Sequence, residues 1–376
     1  GQKAYLGKYV DQGDDRKVHM SGCFYGLMRE VLVQEGPLKK EQIKELYAAS
    51  LTGGRESSGT ELHEERPYKG EVETRGLERS IYEGDVQRPA YHLIPPGKWM
   101  NEPHGPLYFR GYYHIFYQAN PHAPVWDHIQ WGHMISRDMV RWEDLPLALE
   151  TGADFAPDGC WSGSSLVDKD GNPRIFYTAG DDRCFPNQFV AMAQAVMDPE
   201  NRLCEWRKYK KPVVKQSRGW LGEFRDPFVW LEEDTYFMLV GTGDEGNGGG
   251  NALLYSSDDL ENWRMHGFLL EYDYGKNQEV GHVFELPVLL PLRDENGETV
   301  CHIFLFCACQ IEGHEVETYF FCGRWNPEEG TFEKYHEKAM LLDLGGGFFT
   351  GPSGFVAPDG RTVVFTIAQG RRGAGE

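Results

Sequence analysis

Short apolar runs separated by turn residues dominate the chain from Arg88 onward. Tyr112–Tyr117, Arg174–Thr178, Thr235–Val240 and His302–Phe306 each read as a strand beside a Gly-rich or Asp-rich turn. Strands favour β-branched and aromatic residues, which these runs supply. They recur roughly every 60 to 70 residues, a spacing that suits one four-stranded blade per repeat of a β-propeller. Three intervals close on a similar phrase, a polar turn followed by tryptophan: Ser136 to Trp142, Asp198 to Trp206 and Ser257 to Trp263. These are expected to be hairpin turns with a core tryptophan. Another repeat opens at Gly351-Pro352-Ser353-Gly354-Phe355, with Arg361–Thr366 as a strand. The chain stops at Glu376, before that blade is expected to be complete, and an open propeller would expose two sheet edges. The expected fold is therefore all-β: a five-bladed propeller over 88–376 with an incomplete fifth blade.

The preceding residues follow another pattern. Phe24–Val33 alternates like a strand, and Lys39–Tyr47 places Ile43, Leu46 and Tyr47 on one helical face. Residues 51–87 are rich in Gly, Ser, Glu and Arg with little periodicity and read as a linker. The strand and helix within 1–50 resemble the last strand and closing helix of a laminin-G or concanavalin-like sandwich, which implies the C-terminal part of such a domain. The alternative is an unrelated strand and helix.

Composition narrows the function. A formal charge of -20 lacks the basic surface that a phosphate backbone or an anionic lipid surface needs, so nucleic acid and membrane are not expected partners. No stretch approaches the roughly 18 apolar residues of a membrane span. With 45 Gly, 21 Pro, 10 Trp, 19 Tyr and 21 Phe the chain is turn-rich and aromatic-rich, and aromatic faces can stack on sugar rings as well as fill a β core. The 8 cysteines form neither a disulfide framework nor a zinc-type pair of C-x-x-C units. Cys307 and Cys309 are read as small core side chains on one strand face. Gly1 is not an initiator methionine, and no apolar signal core follows it, so the chain is expected to be an internal piece of a longer protein. An extracellular or periplasmic location is favoured, with no targeting segment in this chain.

Three acids stand in particular contexts: Glu102 in Trp99-Met100-Asn101-Glu102-Pro103, Asp226 in Phe224-Arg225-Asp226-Pro227, and Glu285 in Phe284-Glu285-Leu286-Pro287. Each is flanked by apolar residues and Pro, as at the start of an inner strand with the carboxylate aimed at the propeller axis. Any one could be a structural turn acid. Three in successive repeats suggest the paired carboxyl groups that glycosidic bond cleavage requires.

Ordered motifs then resemble glycoside hydrolase family 32, the invertase, inulinase and levanase group. The family's W-M-N-D-P-N-G is seen at Trp99 to Gly105, and F-Y-Q-x-N-P at Phe116 to Pro121. H-W-G-H-x-x-S-x-D-x-x-x-W corresponds to Gln130 through Trp142, and G-C-x-S-G-S to Gly159 to Ser164. F-R-D-P is Phe224 to Pro227, W-E-C-P is Phe284 to Pro287, and D-F-G-x-x-F-Y-A is Asp343 to Thr350. The resemblance implies Glu102 as nucleophile, Asp226 as transition-state stabiliser holding fructosyl hydroxyls, and Glu285 as acid/base. It implies Trp99, Asn101, Gln118, Trp126, Trp161, Ser162 and Arg225 as substrate-binding residues, with no metal or organic cofactor required. The implied function is a retaining hydrolase of β-fructofuranosides such as sucrose, inulin, levan or fructo-oligosaccharides. Arg225 is expected to keep Asp226 ionised, and Phe284 and Leu286 to desolvate Glu285.

Departures keep alternatives open. Glu102 replaces the family's Asp and pushes the carboxylate out by about 1 Å, where a 1 Å error can cost on the order of a hundredfold. His104 replaces Asn, Phe284 replaces Trp, and Leu286 replaces Cys. A pocket adapted to the longer acid is the favoured reading. A fructosyltransferase using the same residues is one alternative, and a catalytically weak carbohydrate-binding propeller another. The family's C-terminal β-sandwich is expected to be missing from this chain.

Overall fold

The computed structural model describes residues 8–12, 18–23, 79–86, 88, 93–123, 125–151, 158–180, 186–216, 223–310, 316–343 and 349–368. The chain divides into two units, Gly1–Glu73 and Thr74–Glu376. In the first, β1 (Lys8–Gln12) and β2 (Val18–Cys23) form an antiparallel hairpin. The strand expected at 24–33, the helix at 39–47 and most of the 51–87 linker lie outside the described residues.

The second unit is built from antiparallel meanders. Blade I is β3 (Trp99–Phe109), β4 (Tyr112–Asn120), β5 (Gln130–Ser136) and β6 (Trp142–Leu149). Blade II is β7 (Gly159–Val167), β8 (Pro173–Gly180), β9 (Gln188–Val196) and β10 (Glu205–Lys208), with β11 (Val214–Lys215) also on β9. Blade III is β12 (Arg225–Glu232), β13 (Thr235–Gly243), β14 (Gly250–Ser257) and β15 (Arg264–Phe268). Blade IV is β16 (Val283–Arg293), β17 (Thr299–Cys309), β18 (Glu317–Asn326) and β19 (Thr331–Lys334), with β20 (Met340–Leu341) on β18. A two-stranded sheet follows, β21 (Phe349–Val356) and β22 (Thr362–Ala368). The first strands pack in series, β3 on β7, β7 on β12 and β12 on β16, and β21 touches both β16 and β3. The result is a propeller with four blades whose ring of inner strands is closed by β21.

Alternation explains why the blades stack. Successive strand residues point to opposite faces, and here both faces are buried. On β13, Tyr236, Met238 and Val240 join the core shared with blade II, whereas Phe237 and Leu239 join the core shared with blade IV. On β9, Val190 and Met192 face one core, and Ala191, Ala193 and Ala195 face the other, where Phe116 and Trp131 of blade I need the space. Each fully buried aromatic contributes on the order of 2–3 kcal/mol of burial free energy.

The Trp-terminated phrases are hairpin turns. Ser257 and Asp259 accept the backbone N–H groups of Leu260, Glu261 and Asn262, and Ser136 and Asp138 do the same for Met139, Val140 and Arg141. Trp206 and Trp263 donate their indole N–H to the carbonyls of Leu203 and Leu260, each 2.9 Å. Trp206 is a core residue, whereas Trp142 and Trp263 are half-buried against their cores.

The two-faced packing of β9 is testable. Ala193→Leu overfills the core between blades I and II and should cost about 1–3 kcal/mol, whereas Met192→Leu on the other face should cost less than about 1.5 kcal/mol. Thermal denaturation of the two variants should show the larger fall in Tm for Ala193→Leu.

Candidate active site

The site is built from one irregularity repeated around the ring. Each inner strand shifts register near its first residues: between Met100 and Pro103, Cys160 and Gly163, Arg225 and Phe228, Glu285 and Val288, and Thr350 and Ser353. Such a bulge releases backbone from the ladder and re-aims side chains. Pro103, Pro227, Pro287 and Pro352 stand at or beside these breaks, where a missing N–H costs no ladder bond. Asp226 and Leu286 have positive φ, 59° and 50°. Asp tolerates that conformation, but for Leu it is a strain of roughly 1–3 kcal/mol.

The three acids stand in blades I, III and IV, not in successive repeats as expected, because blade II presents Trp161 and Ser162 at its bulge instead. The bulges meet through hydrogen bonds. Asn101 Nδ2 donates to Glu102 Oε1 at 2.8 Å, and Ser162 Oγ donates to Glu102 Oε2 at 2.7 Å. Gln118 closes the ring by donating to Ser162 Oγ at 2.7 Å and accepting from Asn101 at 3.4 Å. Thr178 carries the connection onward, donating to the Ser162 carbonyl at 3.1 Å and accepting the Asp226 N–H at 2.7 Å. Asp226 Oδ2 accepts the Leu286 N–H at 3.0 Å. Arg225 donates from Nη2 to Glu285 Oε1 at 2.8 Å, pairs with Glu223, and keeps Nε 3.9 Å from Asp226 Oδ2. Gln188 braces the pair by donating to Glu223 at 2.8 Å.

Burial governs the charges. The Glu102 carboxyl is pushed from 4.5 up to about 8, first by burial and then by the negative charges of Glu285 and Asp226; the Ser162 bond and Arg225 oppose this. Asp226 is pushed up to about 7 by burial, which outweighs the attraction of Arg225. The expectation that Arg225 holds Asp226 ionised is thus corrected, because its closest bonds go to Glu223 and Glu285. Phe284 does not cover Glu285 either. It is fully buried and stacks on Phe306 at 3.8 Å, while the Glu285 side chain keeps 23% of its surface exposed.

The other expected residues divide. Trp161 lies in a slot between Gly159 and Gly180, where an added Cβ would come within 2.8 and 2.5 Å of the indole. Trp126 is 52% exposed with its ring 6.0 Å from Trp161, so the two form an aromatic ledge. Trp99 is placed only by its strand, opposite Asn120 at the start of β3. His104 is fully buried with its ring tilted 41° against Trp131 at 3.9 Å, and neither ring nitrogen has a hydrogen-bond partner among the described residues. Burial pushes its pKa down to about 3, so it is a neutral core ring. Among the described residues no group of three or more His, Cys, Asp or Glu is arranged to hold a metal ion.

Sequence reasoning missed Glu223, Gln188 and Thr178. Glu223 had a weak signal, since it stands two positions before Arg225 and shares its side of an extended chain. Gln188 and Thr178 had none, because Glu223 and Asp226, which they hold, lie far off in the sequence and belong to the next blade.

Carboxyl groups, one guanidinium and an aromatic ledge thus gather at the bulged starts of the propeller's inner strands. The chain belongs to glycosyl hydrolases family 32: residues 92–371 match the profile of that family's N-terminal domain. It is 33% identical over 295 residues to sucrose-6-phosphate hydrolase of Escherichia coli, covering 75% of this chain and 57% of that protein. It is 41% identical over 182 residues to fructan 1-exohydrolase of Triticum urartu, covering 47% of this chain and 30% of that protein. The chain thus spans about half the length, or less, of these curated relatives. Fructan 1-exohydrolase IIa of Cichorium intybus, solved with 1-kestose, superposes with a TM-score of 0.64 at 28% identity, covering 74% of this chain and 53% of that one. A family 32 β-fructofuranosidase of Bombyx mori gives 0.63 at 29%, covering 78% and 62%.

The raised pKa of Glu102 makes a stability prediction. A carboxyl whose folded pKa is raised favours the fold fully below pH 4.5, and that contribution is lost as pH rises through about 8. Glu102→Gln, permanently neutral, should match the parent near pH 4.5. By pH 9 it should exceed the parent by up to about 5 kcal/mol, on the order of ten degrees in Tm. Differential scanning calorimetry across that range reads the widening gap.

Proposed function

We propose that this chain is the catalytic propeller of a retaining glycoside hydrolase that acts on β-fructofuranosides. The observation that carries the reading is the placement of Glu102. Both its oxygens are held by donors from separate inner strands, and the charges of Asp226 and Glu285 act on it directly. The names of the relatives, hydrolases of sucrose-6-phosphate and exohydrolases of fructans, set the substrate class.

In this mechanism Glu102 attacks the anomeric carbon of the fructosyl unit while Glu285 gives a proton to the departing oxygen. Water then adds as Glu285 takes its proton, and the Glu102 ester bond breaks. Asp226 binds fructosyl hydroxyls, and Asn101, Gln118 and Ser162 hold the nucleophile and line the pocket. Arg225 bridges Glu223 and Glu285, so it sets the position of the acid/base. Trp126 and Trp161 present apolar faces to the sugar, and Trp99 at the start of β3 is a third substrate-binding residue. The sheet β21–β22 is the inner part of a fifth blade, and 88–376 is the catalytic domain.

One observation favours a second reading. A Glu102 carboxyl pushed up to about 8 is mostly protonated at neutral pH, which suits a propeller that binds fructosides and cleaves them poorly.

Release of fructose from sucrose, inulin and levan by the full protein separates the two. The catalytic reading expects release by the parent and losses of roughly a thousandfold or more in Glu102→Gln and Glu285→Gln. A parent that binds one of these sugars and cleaves none establishes the binding reading instead.

A further inference from the structure

Glu102 is one methylene longer than the aspartate of the family pattern, and the structure shows where that methylene goes. Gly351 of β21 lies against it. A Cβ added at Gly351 would stand 2.5 Å from Glu102 Cγ and 3.0 Å from Glu102 Cβ, the first closer than side-chain carbons approach one another.

Neither partner is free to give way. The Glu102 carboxylate is tied to Asn101 and Ser162. The Gly351 backbone is tied through its N–H to Cys307 Sγ at 3.1 Å, and the same sulfur lies 3.4 Å from Thr350 Oγ1 and 3.7 Å from Thr318 Oγ1. Cys307 is fully buried and sits opposite Glu285 in the β16–β17 ladder. Blade IV therefore sets how far the Gly351 backbone stands from Glu102. Gly351 also has φ +63°, which excludes most other residues from the position at little cost to glycine.

We propose that Gly351 is the positioning residue that lets a glutamate serve as nucleophile at position 102. Its missing side chain is the space into which Glu102 folds Cγ, so that the carboxylate still reaches Asn101 and Ser162. An aspartate also carries a Cγ, its carboxyl carbon, but it has no further atom to fold back toward Asn101 and Ser162, so it can take another χ1, leave that space and do without the glycine. The two positions are coupled. This inference rests on Glu102 being the nucleophile of the proposed reaction.

The test is a cycle of parent, Gly351→Ala, Glu102→Asp and the double variant in the full protein, read by kcat and KM on the best fructoside and by Tm. The φ strain and the 3.0 Å contact with Cβ are common to both backgrounds, so the cycle subtracts them. Gly351→Ala alone should lower kcat by roughly a hundredfold, the effect of about 1 Å of displacement, with KM changed much less. In the Glu102→Asp background the same substitution should lower kcat by no more than about fivefold, with a smaller fall in Tm. Equal losses in both backgrounds, or no loss in either, overturn the proposal. If Gly351→Ala fails to fold, folding of the double variant supports the coupling, and its failure too overturns it. A parent inactive on every fructoside refutes the catalytic reading instead, while the Tm cycle still decides whether the two positions are coupled.

Discussion

Burying several carboxyl groups around one axis is the constraint on which the rest of the molecule depends. Ionised carboxylates resist leaving water, and their mutual repulsion adds to the cost. Two of the three candidate acids answer by rising toward neutrality, Glu102 to about 8 and Asp226 to about 7. Glu285 is held by Arg225, whose other arm is engaged by Glu223. Such a cluster persists only where the scaffold fixes every partner. Here that scaffold is a ring of strands, each buried on both faces.

The bulges connect scaffold and chemistry. A regular inner strand would commit every backbone group to its ladder and alternate its side chains between the two neighbouring cores. The register shift near the start of each inner strand frees a short stretch from both obligations, and these are the stretches that hold Asn101 and Glu102, Trp161 and Ser162, and Asp226. The fourth stretch holds Leu286, strained at φ 50°, whose N–H binds Asp226, and the fifth holds Gly351, which makes room for Glu102. Precision at the site therefore derives from packing far from it. The alanines of β9 and the stacked rings of Phe284, Phe304 and Phe306 keep the blades in register, and the bulges with them.

The sequence disclosed these layers unevenly. Five propeller runs were legible as strands: β4, β8, β13 and β17, the second strand of each blade, and β22, the second of the last sheet. The first four are apolar because their side chains fill the cores between neighbouring sheets. The inner strands were not legible as strands, since Pro, Gly and acids interrupt them at the bulges; they were legible as motifs for the same reason. The three acids and the ring of Asn101, Gln118 and Ser162 emerged from those motifs. Gln188 and Thr178 did not, because their importance lies in contacts between blades that no local pattern encodes, and Glu223 left only its i, i+2 spacing from Arg225. His104 stands only two positions from Glu102, where regular alternation would put both on one face, yet the register breaks on either side of Pro103 and His104 turn its ring into the core beside Trp131.

Peptide mass mapping of the full protein, quenched in acid during turnover of β-fructosyl fluoride, reads whether a covalent bond forms between Glu102 and a fructosyl unit. One hexosyl unit is expected on the peptide that carries Glu102, and none in Glu102→Gln. Turnover without an adduct, together with inversion at the anomeric carbon, or an adduct on another residue, would contradict it.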